Sequence, residues 1–176
     1  LSTSRLRRVH FQPIVDKVTG RLSAWQGKNL SHAGRVCLTK TILSSQPIYL
    51  LTALKPPSKT LEEIDAIRWR FIWAGTQRIT GGKCKVNWRV VTQPKEVGGL
   101  GVLNLDKFAR ALRLRWLWQQ WKEQLKPWIG SGCPCDDSDH LLFSACTTIS
   151  IGDGKRTDFW SDGWLHGRRP KDIAPN

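Results

Sequence analysis

Apolar residues recur at helical spacing in the first fifty positions. The segment Phe11–Trp25 has Pro13 in its first turn, where proline is favoured, and a single apolar face. That face is formed by Ile14, Val18, Leu22 and Trp25. A second helix is predicted from Ser31, a good N-cap residue, to the position before Pro47. Its inward residues are Ala33, Val36 and Leu43, with Cys37 as a further candidate.

Capping signals predict the next helix. Thr60 and Glu63 have the spacing of a capping box, so a helix is expected to begin at Thr60, and Gly75 ends it. Its apolar row consists of Ile64, Ile67, Phe71 and Ile72. The apolar run Ile48–Leu54, just before this helix, fits a strand or a helix equally well by periodicity alone.

The longest helix is predicted from Asn104, its N-cap, to about Gln124. Glycines and prolines in residues 76–101 predict loops around one short element at Asn87–Thr92. One face of the long helix would be formed by Leu105, Phe108, Leu112 and Trp116.

The C-terminal segment changes from helical to alternating periodicity. Thr147–Ile151 alternates β-branched residues, Gly152–Gly154 is a turn signal, and Thr157–Trp160 can return as a partner strand. The fold class predicted is therefore mainly α, with a helical bundle, a long helix and a small C-terminal β-hairpin subdomain. The expected divisions are 1–75, helical; 76–128, a Gly/Pro-rich connection with the long basic helix; and 129–176, a small α/β-hairpin segment truncated at the C-terminus.

Charge is distributed unevenly along the chain. The formal net charge is +14. Residues 1–135 hold 23 Lys and Arg against seven Asp and Glu, whereas residues 136–176 hold five against seven. A region of one sign favours a polyanionic partner, and nucleic acid is preferred over an anionic membrane because the cations are spread over many elements. No apolar run approaches the roughly 20 residues of a membrane span.

Five cysteines without a secretory signal predict reduced thiols and an intracellular location, in the nucleus, the cytoplasm or both. Four residues, Cys133, Cys135, His140 and Cys146, approach the spacing of a zinc knuckle. Both outer gaps differ from that spacing by one residue, and residues 140–146 have the pattern of a core helix, so no metal is predicted.

Catalytic motifs are missing from the sequence. It has no phosphate-binding GxxxxGK[ST] loop, no HExxH and no serine-nucleophile elbow. The carboxylate pair Asp136 and Asp137 lies outside the basic region and is interpreted as part of a helix cap or a loop. The chain also lacks Met, even at position 1, which predicts an internal piece of a longer protein.

Ten tryptophans offer a second possible contact with nucleic acid. Stacking on bases is one interpretation, and packing in the core is the commoner one for tryptophans at helical spacing. The candidates are Trp88, Trp116, Trp118, Trp121 and Trp128.

Four blocks in order resemble the region after the polymerase core in reverse transcriptases of plant non-LTR (LINE-type) retrotransposons. They are RLSAWQGKNLSHAGRVCLTKTILSSQPIY, IDAIRWRFIWAG, VNWRVVTQPKEVGGLGVLNLDKFARALRLRWLW and ISIGDGKRTDFWSDGW. The resemblance extends from about Phe11 to Trp164 and implies a thumb and connection region, with 1–75 as the thumb-like part. The family's catalytic carboxylates belong to an aromatic-x-Asp-Asp motif upstream, which this chain lacks.

The resemblance implies a template–primer-binding segment that is not an enzyme on its own and needs no cofactor, whereas the parent polymerase would need Mg²⁺. Its partners would be an RNA/DNA template–primer duplex and the missing palm and fingers of the same polyprotein. A degenerate transposon-derived fragment with no specific activity is the alternative. Phosphate contacts are predicted for Lys28, Arg35, Lys40, Arg68, Arg70, Lys83, Lys85, Arg110 and Arg113, and Gly34 would let the backbone approach.

Overall fold

The computed structural model describes residues 7–23, 27–75, 86–123, 126–127, 134–155 and 157–174, apart from the side chains of Ser23 and Lys28. Predictions that concern Trp25, Trp128 or Cys133 lie outside these residues. The chain divides into two compact units, Leu1–Arg113 and Leu114–Asn176.

Helices form the regular structure of the described residues. In chain order they are α1 (Gln12–Ser23), α2 (His32–Leu38), α3 (Ile48–Ala53), α4 (Ser58–Ala74), α5 (Trp88–Val91), α6 (Leu105–Lys122), α7 (Asp137–Cys146) and α8 (Pro170–Ile173). Short 3₁₀ turns lie at Arg8–Phe11, Gly27–Asn29 and Lys95–Val97, and α2 continues into a π-helical turn at Thr39–Leu43. The mainly α prediction is confirmed, and the ambiguous run after Pro47 is a helix. None of the described helices is both long and apolar enough to cross a membrane.

The core of the unit Leu1–Arg113 forms where α1, α4 and the start of α6 bury their apolar rows. All four residues of the predicted α4 row are less than 9% exposed, so that row is confirmed. The members of the main cluster are Val15, Val18, Leu22, Leu43, Leu51, Leu61, Ile64, Ile67, Phe71, Leu105 and Ala109. A smaller cluster of Ile72, Val91 and Val102 anchors the loop between α5 and α6.

Most helix ends follow the predicted capping signals. The Ser31 hydroxyl accepts a hydrogen bond from the Gly34 amide, 3.2 Å away. The Asn104 side chain caps α6 through the Lys107 amide at 3.0 Å. Gly75 ends α4 with a φ of 66°, a left-handed conformation that suits glycine. Of the two interpretations of Asp136, the helix cap is the correct one, since it caps α7.

The start of α4 differs from the prediction. The helix begins at Ser58, two residues before Thr60. Pro57 has an extended ψ of 145°, so Ser58 is the first residue with helical backbone angles. The amide of Thr60 bonds to the Pro57 carbonyl at 3.0 Å, and the residue is buried within the first turn.

The buried face of α6 also differs from the prediction. Its buried residues follow one i, i+4 row of Leu105, Ala109, Arg113 and Leu117. Phe108, Leu112 and Trp116, which were predicted to define the face, are only half-buried. Apolar residues occur on more than one face of α6, so the sequence fits two different buried rows. The row that is buried contains Arg113, and a pattern based on hydropathy does not place an arginine in a buried row.

The predicted C-terminal β-hairpin is wrong. The described residues contain no β-strand, and one isolated bridge joins Leu165 to Arg168. Where a strand was expected, the Asp158 carboxylate accepts hydrogen bonds from the amides of Trp160 and Ser161, both at 3.0 Å. These side-chain bonds fold the segment into a turn, which competes with a two-stranded ladder that is marginal by itself.

Candidate nucleic-acid interface

Arg68 is the largest fully buried side chain in the described residues. Its guanidinium donates to the Asp65 carboxylate at 2.6 Å, to the Ser44 hydroxyl at 2.8 Å and to the Leu103 carbonyl at 2.8 Å. The guanidinium carbon also lies 5.2 Å from the centre of the Trp88 ring, within the range of a cation–π contact. Arg68 therefore ties together four segments of the fold.

The predicted phosphate contact of Arg68 needs correction, because its side chain is 0% exposed. Burial lowers the pKa of Arg68 from its usual value, and the Asp65 charge opposes that shift. Burial likewise raises the pKa of Asp65 above its usual 3.8, opposed by Arg68. Removing charges from water has to be offset by their attraction and hydrogen bonds, so the pair organises the core at a desolvation cost.

Arg35 and Lys40 bind backbone carbonyls of the same unit. The guanidinium of Arg35 donates to the Trp73 carbonyl at 3.3 Å, in the last turn of α4. The last carbonyls of a helix have no partner within it and form the negative end of its dipole, so a cation is favoured there. The ammonium of Lys40 donates to the Leu100 carbonyl at 3.1 Å. These bonds explain how this part of the chain holds cations without acidic partners.

Arg35 and Lys40 are both half-buried. Their contact with phosphates stays a prediction. So does the function assigned to Gly34, where an added Cβ would meet its nearest atom, the Ser31 hydroxyl oxygen, at an ordinary 3.4 Å.

The remaining predicted cations are in different environments. Arg113 is 6% exposed, so the prediction of a surface contact needs the same correction as for Arg68. Arg113 is buried because it belongs to the buried i, i+4 row of α6. Arg110 is half-buried, and Arg70 is exposed on α4. The Lys28 side chain and residues Lys83 and Lys85 lie outside the described part of the chain.

A basic face whose residues were not among the predicted phosphate contacts runs along α6. At about 100° per residue, five exposed positions fall within an arc of about 80°. They are Lys107, Ala111, Arg115, Trp118 and Lys122, and none of them is acidic. This set is called the α6 basic face below; it is defined along one continuous helix and opposes the buried row.

The α6 basic face has the dimensions of a phosphate-binding surface. From Lys107 to Lys122 it extends about 22 Å, at the helical rise of about 1.5 Å per residue. Solvated Lys and Arg side chains can follow the phosphates of a nucleic-acid backbone without contacting base edges. The sequence signal that could have identified this face is the i, i+4 row from Leu105 to Leu117. Once that row is taken as the buried one, the residues on the opposite side of the helix include Lys107, Arg115 and Lys122.

Possible metal ligands do not cluster in the described part of the chain. Over the described ranges, no three His, Cys, Asp or Glu side chains come close enough together to hold a metal. Cys146 is exposed on α7, whereas the core-helix interpretation had it inward. Cys133 is outside the described residues, so the absence of bound zinc stays a prediction.

Most of this chain aligns with part of a longer curated plant protein. It is 30% identical over 192 aligned residues to an Arabidopsis thaliana protein named "Putative ribonuclease H protein". The alignment covers 93% of this chain and 30% of the relative, so the chain spans less than a third of the length of that protein. No family model matches the chain. No solved structure matches it either.

Proposed function

We propose that this chain is a non-catalytic nucleic-acid-binding segment, the thumb and connection region, of a retrotransposon-type RNA-directed DNA polymerase. The α6 basic face is the observation on which the proposal rests. The four sequence blocks support the polymerase type. The relative named for ribonuclease H, an activity directed at nucleic acid, supports the class of partner.

The proposed binding mode is electrostatic and independent of sequence. Lys107, Arg115 and Lys122 contact phosphates of a template–primer duplex, and Arg70 adds an exposed cation on α4. Each such contact releases a counterion and is worth up to about 8-fold in affinity near 0.1 M salt. Phosphates have the same geometry in every sequence, so affinity depends on salt and not on base order.

Binding of two RNA–DNA duplexes with unrelated sequences tests the proposal. The Lys107→Ala/Arg115→Ala variant is compared with Arg168→Ala/Lys171→Ala, which removes two exposed cations from the acidic C-terminal region. We expect the first variant to lose affinity equally for both duplexes and the second to bind like the unmodified chain. Equal effects of the two variants would instead favour a transposon-derived fragment with no specific activity.

The same protein is proposed to have no polymerase or nuclease activity by itself. Two-metal phosphoryl chemistry needs carboxylates that converge on divalent ions. In the described residues, Asp65 is bonded to Arg68 and Asp136 caps α7. Primer extension with Mg²⁺ or Mn²⁺ should not exceed that of a mock preparation, and reproducible extension would refute this part.

A further inference from the structure

Within the unit Leu114–Asn176, a cleft of about 340 Å³ has an aromatic wall. Trp118 and Trp121 come from the last turns of α6, and Phe143 comes from α7. The ring centres of the two tryptophans lie 5.4 Å apart, with an angle of 52° between the ring planes. The cleft is large enough for one nucleobase with its sugar.

The two tryptophans retain unusual exposure for residues of their size. Trp118 is 47% exposed and Trp121 is 41% exposed. A tryptophan that packs in a core loses most of its contact with water, so these two are not core residues. Flat apolar surface that remains accessible in a cleft is the feature that stacks bases in single-strand binding proteins.

The lining of the cleft also includes polar residues. Asp162 lies there with the hydroxyl-bearing residues Ser144, Thr148 and Ser161. One carboxylate oxygen of Asp162 accepts a hydrogen bond from the Asp158 amide at 2.8 Å, which fixes the side chain at the cleft. Its other oxygen can accept a hydrogen bond from a ligand N–H, and the hydroxyl groups can donate or accept.

A second cavity of about 180 Å³ adjoins the same groups. Trp121, Ile149 and Asp162 line both cavities. The Trp121 side chain is therefore shared between two neighbouring spaces, an arrangement that suits two successive bases of a strand better than one isolated small molecule.

We propose that this cleft binds unpaired nucleobases, with one base stacked on Trp121 and its N–H edge directed to Asp162. A base has apolar faces and a polar edge, which suit the aromatic and the polar residues of this lining. A phosphate is disfavoured beside the Asp162 carboxylate, and the cation at the cleft, Arg169, is already paired with Asp172 at 3.5 Å. An apolar peptide or acyl chain would leave the carboxylate and hydroxyl groups without partners.

The position of Trp118 connects the cleft to the α6 basic face, since Trp118 belongs to both. A strand whose phosphates contact Arg115 and Lys122 would present its bases beside the tryptophans. The inference rests on the proposed function only for the class of ligand, because stacking contributes affinity that is separate from the phosphate contacts.

The test uses the full chain and two ten-nucleotide DNA strands, one normal and one with abasic sites at its central positions. Affinity is measured over a range of salt concentrations for the unmodified chain, Trp121→Ala and Trp160→Ala. Trp160 is the matched control, because it is 52% exposed in the same unit but lines neither cavity. Circular dichroism of each variant establishes that the helices are retained.

We expect Trp121→Ala to weaken binding of the normal strand by about 5- to 150-fold, the range found for loss of one stacked base. The slope of log K against log salt should not change, and the abasic strand should bind the unmodified chain as weakly as the normal strand binds Trp121→Ala. Asp162→Asn should weaken the normal strand relative to the abasic strand, because only the normal strand has base N–H groups that the carboxylate can accept from.

The inference is overturned if the normal and abasic strands bind equally, or if Trp160→Ala has the same effect as Trp121→Ala. Failure of the proposed function has a different signature, namely an affinity that does not depend on salt. A result with a normal salt slope and no dependence on bases would therefore reject the cleft while retaining the phosphate surface.

Discussion

The guanidinium of Arg68 donates a hydrogen bond of 2.8 Å to the hydroxyl of Ser44, a residue 24 positions earlier in the chain. Ser44 in turn donates to the Thr39 carbonyl at 2.6 Å, which closes the π-helical turn. A cation in the middle of an apolar row thus fixes the turn that follows α2, the helix α4 and the loop at Leu103.

Replacing Arg68 with Met is expected to destabilise the protein by about 3–5 kcal/mol near neutral pH, because Asp65 loses its buried partner. Arg8→Ala is the control. The Arg8 side chain pairs at 2.7 Å with Glu63, which lies on α4 as Arg68 does. The Arg8 side chain is 57% exposed, so loss of this ion pair should cost less than about 1 kcal/mol. Urea unfolding measures both, and equal costs would contradict the structural function of Arg68.

The destabilisation by Arg68→Met should depend on pH. Burial raises the folded-state pKa of Asp65 above 3.8, and the Arg68 charge is the largest influence that opposes it. Without Arg68 that pKa rises further, since the hydrogen bond from Trp88 is then the one remaining influence that lowers it. A raised folded-state pKa means that the folded protein binds the proton more tightly than the unfolded chain, so stability falls as pH rises through that pKa. The difference in unfolding free energy from the unmodified chain should therefore be larger at about pH 7 than at about pH 4.5. A difference that is larger at the lower pH would contradict the assignment.

Arg35→Ala should destabilise the protein by about 1–3 kcal/mol, because the Trp73 carbonyl loses its donor in a half-buried position. Arg70→Ala removes the same charge from an exposed site on α4 and should change stability by less than about 0.5 kcal/mol. Thermal unfolding of the two variants side by side provides the comparison. If Arg35→Ala is as stable as Arg70→Ala, its hydrogen bond is not part of the fold.

Two glycine substitutions should change the stability of the protein in opposite directions. A Cβ on Gly27 would lie 2.3 Å from the Gly75 carbonyl oxygen, so Gly27→Ala forces two backbones apart at a cost of about 1–3 kcal/mol. Gly20 lies in α1 with nothing within 4 Å of an added Cβ, and Gly20→Ala should stabilise by about 0.4–1 kcal/mol. Melting temperatures that move in the same direction would contradict this close approach.

Local signals in the sequence predicted much of the helical fold. The caps Ser31 and Asn104 and the α4 row were correct because each depends on neighbours within four residues. The hairpin prediction failed because it weighed β-branched alternation without the competing hydrogen bonds of Asp158. Those bonds depend on where a turn closes, which residue preferences do not determine.

The candidate site was harder to predict, because the sequence alone does not say whether a basic residue is buried with a partner or exposed to solvent. Arg68 lies between Ile64 and Ile72 at i−4 and i+4, so its burial was implied by the row that the sequence analysis identified. Arg35 gave no such signal, since its partner is a carbonyl 38 positions away. The α6 basic face required the correct buried row first.

The salt dependence of duplex binding tests the central claim most directly. For B-form DNA, log K should fall linearly with log salt by about 0.9 per phosphate neutralised. Lys107→Ala/Arg115→Ala should flatten this slope by up to about two units, equally for unrelated sequences, and Arg168→Ala/Lys171→Ala should leave it unchanged. A slope near zero for the unmodified chain, or one that the α6 double variant does not alter, would contradict the claim that this helix binds phosphates.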